Sequence, residues 1–264
     1  MTDHKISIIG CGNIGISMLE GFLSSQEMNG SDIIITRRNI SRIGYLKNSG
    51  VILTTDNRNA VKNSNIVIIA VKPYDFTCVL KEIAEQLCPP GHLLISVTAG
   101  ITISQIREQV PDSIPVFRVM PNISASVANS ISCICSDRNG SKEREQVESL
   151  FRILGTTMFI EEELMKSATI LGACGIAFTL RFIRAMIQAG VQIGFDSDTA
   201  GTIVTQTVGG AAKLLSENRQ HPEFEIDKVT TPKGCTIVGL NEMEHNGFSS
   251  SLIKGIVASF EKCG

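Results

Sequence analysis

The sequence predicts an α/β protein: an N-terminal doubly wound parallel sheet followed by an all-helical C-terminal domain. Three observations carry that expectation. Short runs of β-branched residues alternate with helix-like spacing from Lys5 to about Ile160. A G-x-G-x-x-G turn, Gly10, Gly12 and Gly15, joins the first such run to the first helical pattern. Beyond Glu161-Glu162-Glu163 almost nothing reads as strand. The expected boundaries are residues 1–160 and 161–264.

Composition narrows the class. The chain has 264 residues, 43% hydrophobic and 19% charged, which describes an ordinary globular protein with ample core. A formal net charge of −2 shows no nucleic-acid footprint. None of the eight cysteines forms a C-x-x-C pair. Cys133 and Cys135 lie two apart, which suits no common zinc spacing, so no metal site is expected. The thiols read as reduced, in a cytoplasmic protein. The first strand begins within five residues, so no signal peptide is expected before it. Ser167–Leu180 is uncharged, but fourteen residues fall short of the roughly 20 a membrane span needs. A buried helix is the expectation there.

In chain order, Ile6–Ile9 reads as a buried parallel strand. Gly10 then allows a tight turn, Gly12 lets a pyrophosphate approach the backbone, and Gly15 lets helix and strand pack closely. The helix that follows, with Ile16, Leu19, Phe22 and Leu23 on one face, would point unpaired N–H groups at the phosphates. Strand, glycine turn and helix together favour a Rossmann-type nucleotide site; a glycine-rich turn with no ligand is the plain alternative. Asp32–Thr36 reads as the second strand. An Asp or Glu just beyond it would accept a ribose 2′-hydroxyl. Arg37 and Arg38 stand there instead and suit a 2′-phosphate, so NADP(H) is favoured and NAD(H) stays open. Two solvated surface arginines are the plain alternative.

Arg42–Lys47 is expected to be helical, Val51–Thr54 a strand, and Asn57–Asn63 a short helix. Ile66–Val71 is a buried strand that leaves the sheet at Lys72-Pro73. Val79–Leu87 is a helix, stopped by Pro89-Pro90-Gly91. Leu93–Val97 is a strand leaving at Thr98-Ala99-Gly100, and Ile103–Val110 a helix. Val116–Met120 is a strand running into Pro121-Asn122. Ser130–Cys135 follows as a strand, Glu143–Leu154 as a helix, and Met158–Ile160 as a last short strand. The turns at Gly10–Gly15, Arg37–Arg38, Lys72–Pro73, Thr98–Gly100 and Pro121–Asn122 should all leave carboxyl ends of strands and line one crevice.

In the second half, Leu164–Gly194 is apolar on all sides, and Ser197–Ser216 carries small residues that permit close helix contact. Helices apolar all round must be enclosed. The expected enclosure is a second copy of the chain, in a homodimer or larger homo-oligomer; packing on the first domain alone is the alternative. His4, His92, His221 and His245 are scattered and read as surface residues, and no Ser/His/Asp arrangement is suggested. Lys72 could act as a base, although its pairing with Pro73 favours a structural or cofactor-contact role.

Several motifs together resemble the pyrroline-5-carboxylate reductase family, nearly end to end. They are the glycine loop, Ala70-Val71-Lys72-Pro73, Thr98-Ala99-Gly100, Arg118–Asn122, Gln206-Thr207 with Gly210–Ala212, and Val229–Thr236 (V-T-T-P-K-G-C-T). The resemblance implies reduction of the ring imine of 1-pyrroline-5-carboxylate to L-proline with NAD(P)H. It implies cofactor contacts at Gly10, Gly12, Asn13, Ile14, Gly15, Asn57, Ala70, Val71, Lys72, Pro73, Ala99, Gly100 and Asn122, with Asn57 at the adenosine end. It implies substrate contacts at Gly175, Thr230, Thr231, Lys233, Gly234 and Cys235, where backbone amides hold a carboxylate. Thr236 would reach the ring nitrogen as the catalytic group; a helix cap is the plainer reading of that residue.

Two departures stand out. The family's S-G-S-G-P-A-Y turn beside the substrate is here Gly172-Ala173-Cys174-Gly175-Ile176-Ala177-Phe178, and the first glycine of the late P-G-G is Lys233. They keep two other readings open: a reductase of a related cyclic imine or keto acid, and a catalytically weak nucleotide-binding homologue.

Overall fold

The computed structural model describes residues 5–138 and 140–263, so His4 lies outside the described residues. The chain divides into two compact units, one running to Cys174 and the other spanning Gly175–Lys262.

The first unit is built on eight strands: β1 (Ile6–Ile9), β2 (Ile33–Thr36), β3 (Ile52–Thr54), β4 (Ile66–Ile69), β5 (Leu93–Ser96), β6 (Val116–Met120), β7 (Ser130–Ser136) and β8 (Gly155–Phe159). Their order in the sheet is β3-β2-β1-β4-β5-β6-β7-β8. The chain therefore reverses direction across the sheet between β1 and β4, where doubly wound sheets bind ligands. Side chains alternate between the two faces, as strand geometry requires. Ile6, Ile8, Ile33, Ile35 and Phe117 pack on one face with Met18, Leu19 and Phe22 of α1 (Asn13–Ser24) and with Val147, Leu150 and Phe151 of α5 (Ser141–Arg152). Ile9, Ile34, Val67, Ile69 and Val116 pack on the other. They meet α2 (Asn57–Lys62), α3 (Pro73–Ile83) and α4 (Ile103–Arg107).

Three local expectations are corrected. The helix expected from Val79 begins at Pro73, because proline suits the first helical position, where no N–H is needed. The expected helix at Arg42–Lys47 is a 3-10 helix, Ile40–Ser49, ended by Gly50 in the left-handed conformation. The sheet is also not wholly parallel. β7 pairs antiparallel with β6, and β8 runs parallel to β7. A parallel return needs a crossover of a dozen or more residues. Between Met120 and Ser130 there is room only for a 3-10 turn, Ile123–Val127, so the strand comes back antiparallel.

From Glu162 the chain becomes helical: a 3-10 turn, α6 (Met165–Ala168), a π turn at Thr169–Cys174, and then α7 (Gly175–Gln192). The second unit adds α8 (Ser197–Asn218), α9 (Pro222–Lys228), α10 (Cys235–His245) and α11 (Phe248–Lys262). Small residues let α7 and α8 approach: a Cβ on Gly190 would stand 3.0 Å from the Ala200 Cβ. Asp196 caps α8 by accepting from the Asp198 and Thr199 N–H groups, at 3.1 and 2.9 Å. Hydrogen bonds from Thr199, its side chain foremost, hold the Asp196 carboxyl below the usual carboxylate range.

The helix expected to be buried around Ser167–Leu180 is mostly half-buried in the single chain, with Leu171, Ala177, Thr179 and Leu180 exposed. The helical run Glu162–Gln192 is long and apolar enough, by length and composition, to cross a membrane, yet only 6% of its most apolar window is buried. Leu171, Leu180, Ile193, Val238 and Ile253 are all exposed. A shallow apolar groove of about 360 Å³ between α7 and α11 is floored by Phe178, Phe182, Phe248 and Leu252.

Candidate active site

The carboxyl ends of β1, β2, β4, β5 and β6 carry all five turns expected to line a crevice. The glycine turn is fixed by β2. Both Gly10 N–H and Cys11 N–H donate to the Thr36 carbonyl, at 3.1 and 3.0 Å, and Gly10 N–H also faces Thr36 Oγ1 at 3.2 Å. Gly10 has φ +82°, and a Cβ there would lie 2.2 Å from Val71 Cγ1. No other residue fits that position. Around a Cβ on Gly12 there is open space: its nearest neighbour would be the Gly10 carbonyl oxygen at 4.0 Å. At Gly15 a Cβ would press on Cys11 Sγ and Ile8 Cγ2, at 3.2 and 3.4 Å, so this glycine sets the approach of α1 to β1.

Gly12 is the N-cap of α1 and supplies no side-chain cap. Asn13, Ile14 and Gly15 therefore begin a helix whose first N–H groups lack the usual side-chain partner. A dinucleotide fits this cradle: open backbone, free helix amides and the positive end of the helix dipole converge where a pyrophosphate would lie.

Around the cradle, Ala70 N–H donates to the Ile9 carbonyl at 2.8 Å, and Thr98 Oγ1 donates to the Val71 carbonyl at 3.1 Å. These bonds tie the ends of β1, β4 and β5 together. Lys72 caps α3 from an exposed position, with Pro73 next to it. Ala99 is half-buried, and Gly100 is exposed at φ +76°. The two arginines differ. Arg38 is exposed and pairs with Asp75 at 3.1 Å. Arg37 is half-buried and forms no ion pair among the described residues. Asn57 opens α2 and donates from Nδ2 to Glu82 Oε2 at 2.9 Å.

Asn122 and Gly175 were expected at the cofactor and the substrate. Asn122 is buried after β6, and both of its side-chain polar atoms bond within the protein, Nδ2 to the Gly172 carbonyl and Oδ1 to the Ser124 N–H. Gly175 is half-buried as the first residue of α7, directly after the π turn.

In the second unit the late segment forms one compact turn. Gly234 N–H donates to the Thr231 carbonyl at 2.9 Å, with Pro232 and Lys233 between them. Proline second and a positive φ third define a type II turn, and Lys233 has φ +62°. Lysine therefore stands where glycine or asparagine is the ordinary choice. A Cβ on Gly234 would lie 2.6 Å from Thr231 Oγ1, which accounts for that glycine. Thr230 Oγ1 donates to the Ile226 carbonyl at 2.8 Å.

The turn delivers the chain into α10. Gly234 is its N-cap, again with no side-chain cap, and Cys235 is its first residue. Thr236 is thus the second helical residue and not the cap, so the plain capping reading is set aside. Its hydroxyl makes no hydrogen bond among the described residues, and the residue is half-buried. Of the described histidines, two serve local structure. His92 ties a turn together, its Nδ1 accepting from Cys88 N–H at 2.9 Å and its Nε2 donating to the Val61 carbonyl at 3.1 Å. His221 caps α9.

Three features were missed in the sequence. Thr36 anchors the glycine turn. The ion pair Arg118–Glu162 joins β6 to the start of the helical run. The π turn lies where the sequence shows only apolar and small residues. An arginine inside the strand Val-Phe-Arg-Val-Met was a usable signal, since a charge buried there needs a partner.

A family model described as pyrroline-5-carboxylate reductase dimerisation matches residues 162–264. A second, described as NADP oxidoreductase coenzyme F420-dependent, matches residues 5–100. Pyrroline-5-carboxylate reductase 2 of Dictyostelium discoideum is 41% identical over 98% of this chain and 92% of its own length. Pyrroline-5-carboxylate reductase 1 of the same organism is 42% identical over 98% of this chain, which spans 49% of that protein. Among solved structures, Plasmodium falciparum pyrroline carboxylate reductase with NADP bound aligns at a TM-score of 0.90 and 27% identity, over 100% of this chain and 98% of the other. The glycine cradle, the late turn and these likenesses agree, and the chain belongs to the pyrroline-5-carboxylate reductase family.

Proposed function

We propose that this chain reduces the ring C=N bond of 1-pyrroline-5-carboxylate to give L-proline, with NADPH favoured as reductant and NADH as the second choice. The observation that carries this reading is the uncapped start of α1 over the β1/β4 reversal, on a chain whose relatives bear that enzyme's name. In this reading Gly10, Gly12, Asn13, Ile14 and Gly15 hold the pyrophosphate. Arg37 and Arg38 take the 2′-phosphate, Asn57 the adenosine end, and Ala70–Pro73 with Ala99 and Gly100 the remaining edge. When bound, the cofactor supplies a hydride.

The chain's own residues do the rest. The turn Thr230–Gly234 and the first amides of α10, at Cys235 and Thr236, anchor the substrate carboxylate, with Gly175 beside the ring. Fixed placement of this kind lowers a barrier by up to roughly 7–11 kcal/mol. The ring carbon accepts the hydride while the nitrogen holds or takes a proton. A threonine hydroxyl titrates far too high to be a strong acid, so Thr236 orients and polarises the nitrogen, its free hydroxyl available for that bond. The division of labour is cofactor on residues 1–160 and substrate with assembly on 161–264. The dimerisation match over 162–264 supports it.

The same match and the exposed apolar side chains of α7, α10 and α11 support a homodimer or larger homo-oligomer. In that assembly the apolar helical run is covered by another copy rather than by lipid. Interfaces of this kind often bury more than about 2,000 Å². Light scattering at micromolar concentration should give at least twice the chain mass; a fully active monomer would refute the assembly. A cytoplasmic location fits the eight free cysteines, and the net charge of −2 favours no nucleic-acid partner. Following NADPH oxidation together with proline formation tests the activity. A panel of cyclic imines and keto acids separates it from the related-substrate reading.

A further inference from the structure

Asn122 joins two parts of the first unit that are fifty residues apart in sequence. It follows β6 directly and is 5% exposed. Its backbone N–H donates to Ser130 Oγ at 3.0 Å. Its Oδ1 accepts from the Ser124 N–H at 3.0 Å and so caps the 3-10 turn Ile123–Val127. Its Nδ2 donates to the carbonyl oxygen of Gly172 at 3.0 Å.

Gly172 lies inside the π turn Thr169–Cys174. A π turn holds one residue more than an α turn, so every side chain after it is rotated about the helix axis. Such turns are rare, occur singly within α-helices, and concentrate at functional sites. Nothing in Thr-Ile-Leu-Gly-Ala-Cys favours the wider turn by composition, and Gly172 adds freedom rather than constraint. The side-chain bonds to this turn come from outside or from its first residue. Thr169 Oγ1 donates to the Met165 carbonyl at 2.8 Å, and Asn122 holds the middle of the turn.

We propose that Asn122 is a positioning residue, whose bond to the Gly172 carbonyl keeps the π turn in register and so fixes Gly172–Cys174 against the loop that follows β6. The consequence for turnover rests on the reductase reading, in which Gly172–Phe178 lies beside the substrate. The structural claim does not depend on that reading. A cofactor-contact role for the Asn122 side chain would have to compete with two bonds it already makes.

Asn122→Asp separates the roles. Aspartate keeps an acceptor for the Ser124 N–H and remains a good cap, but it has no N–H for Gly172. Asn122→Ser keeps a shorter acceptor and cannot reach Gly172, and it serves if the aspartate variant folds poorly. Hydrogen–deuterium exchange on the full chain should show faster exchange at residues 170–176 in either variant, with β6 and β7 as protected as before. In turnover with 1-pyrroline-5-carboxylate, kcat should fall at least tenfold while the dissociation constant for NADPH stays within twofold. Unchanged exchange at 170–176 overturns the proposal. So does a tenfold loss of NADPH affinity with exchange unchanged, which would return Asn122 to the cofactor. An unaltered protein that binds NADPH but makes no proline would instead count against the reductase reading, and the exchange result would still decide the role of Asn122.

Discussion

Arg118 Nη1 donates to Glu162 Oε1 at 2.6 Å, and the same carboxylate oxygen accepts from the Ile103 N–H at 2.8 Å. One side chain thus holds the middle of β6, the start of α4 and the entry to the long helical run. The arginine side chain is 8% exposed and the glutamate 33%. Glu162→Gln removes the charge that Arg118 faces. Breaking a fully buried pair costs about 3–5 kcal/mol. Water reaches this glutamate, so a loss of about 1–3 kcal/mol is expected. Urea unfolding measures it, and an unchanged midpoint with an unchanged slope would contradict the pair's role.

The second prediction concerns cofactor choice. Arg38 is shared with Asp75, whereas Arg37 has no carboxylate partner among the described residues. Charge-assisted hydrogen bonds to a 2′-phosphate contribute about 1.5–3 kcal/mol each. Replacing both arginines with alanine should weaken NADPH at least tenfold more than NADH. Asp75→Ala, which releases Arg38, should tighten NADPH and leave NADH nearly unmoved. Equal affinities for the two cofactors in the unaltered protein would sink this reading.

Lys233 supplies the third. Its φ of +62° places an L-residue in the left-handed region, at a cost of about 1–2 kcal/mol. Lys233→Gly removes that cost but gives the unfolded chain about 0.4–1 kcal/mol more entropy to lose. The variant should therefore be as stable as the parent or up to about 1.6 kcal/mol more so. The exposed ammonium lies one residue before the cap of α10, where the substrate carboxylate is proposed to sit. Its loss should raise KM for a carboxylate substrate and leave kcat nearly unchanged. A lower melting temperature would mean that the lysine makes contacts which outweigh the strain.

Legibility in the sequence followed the range of the interactions. The strand runs and the glycine turn were legible because β-branched runs and the G-x-G-x-x-G spacing are local patterns. The reversal of β7 could be foreseen only by counting: too few residues separate Met120 from Ser130 for a crossover. The Arg118–Glu162 pair and the Asn122–Gly172 bond join positions 44 and 50 residues apart, which no local pattern encodes. The helices of the second half read as enclosed because their residues are apolar, yet in one chain they are exposed. Composition reports that a surface must be covered, not by what. Lys233 was legible as a departure, but only the backbone shows that its position lies at positive φ.

The central claim is that Thr236 acts on the imine while the first domain holds the cofactor. Single-turnover hydride transfer from NADPH to 1-pyrroline-5-carboxylate, measured on Thr236→Ala and Thr236→Ser, tests it most directly. An interaction that strengthens as hydride arrives lowers kcat and not only affinity. Thr236→Ala should slow transfer roughly 10- to 1,000-fold, or about 1.4–4 kcal/mol, with NADPH affinity and melting temperature nearly unchanged. Thr236→Ser, which keeps the hydroxyl, should retain most of the rate. Undiminished transfer in Thr236→Ala would contradict the account and leave the amides of the Thr230–Cys235 turn as the chain's main contribution to catalysis.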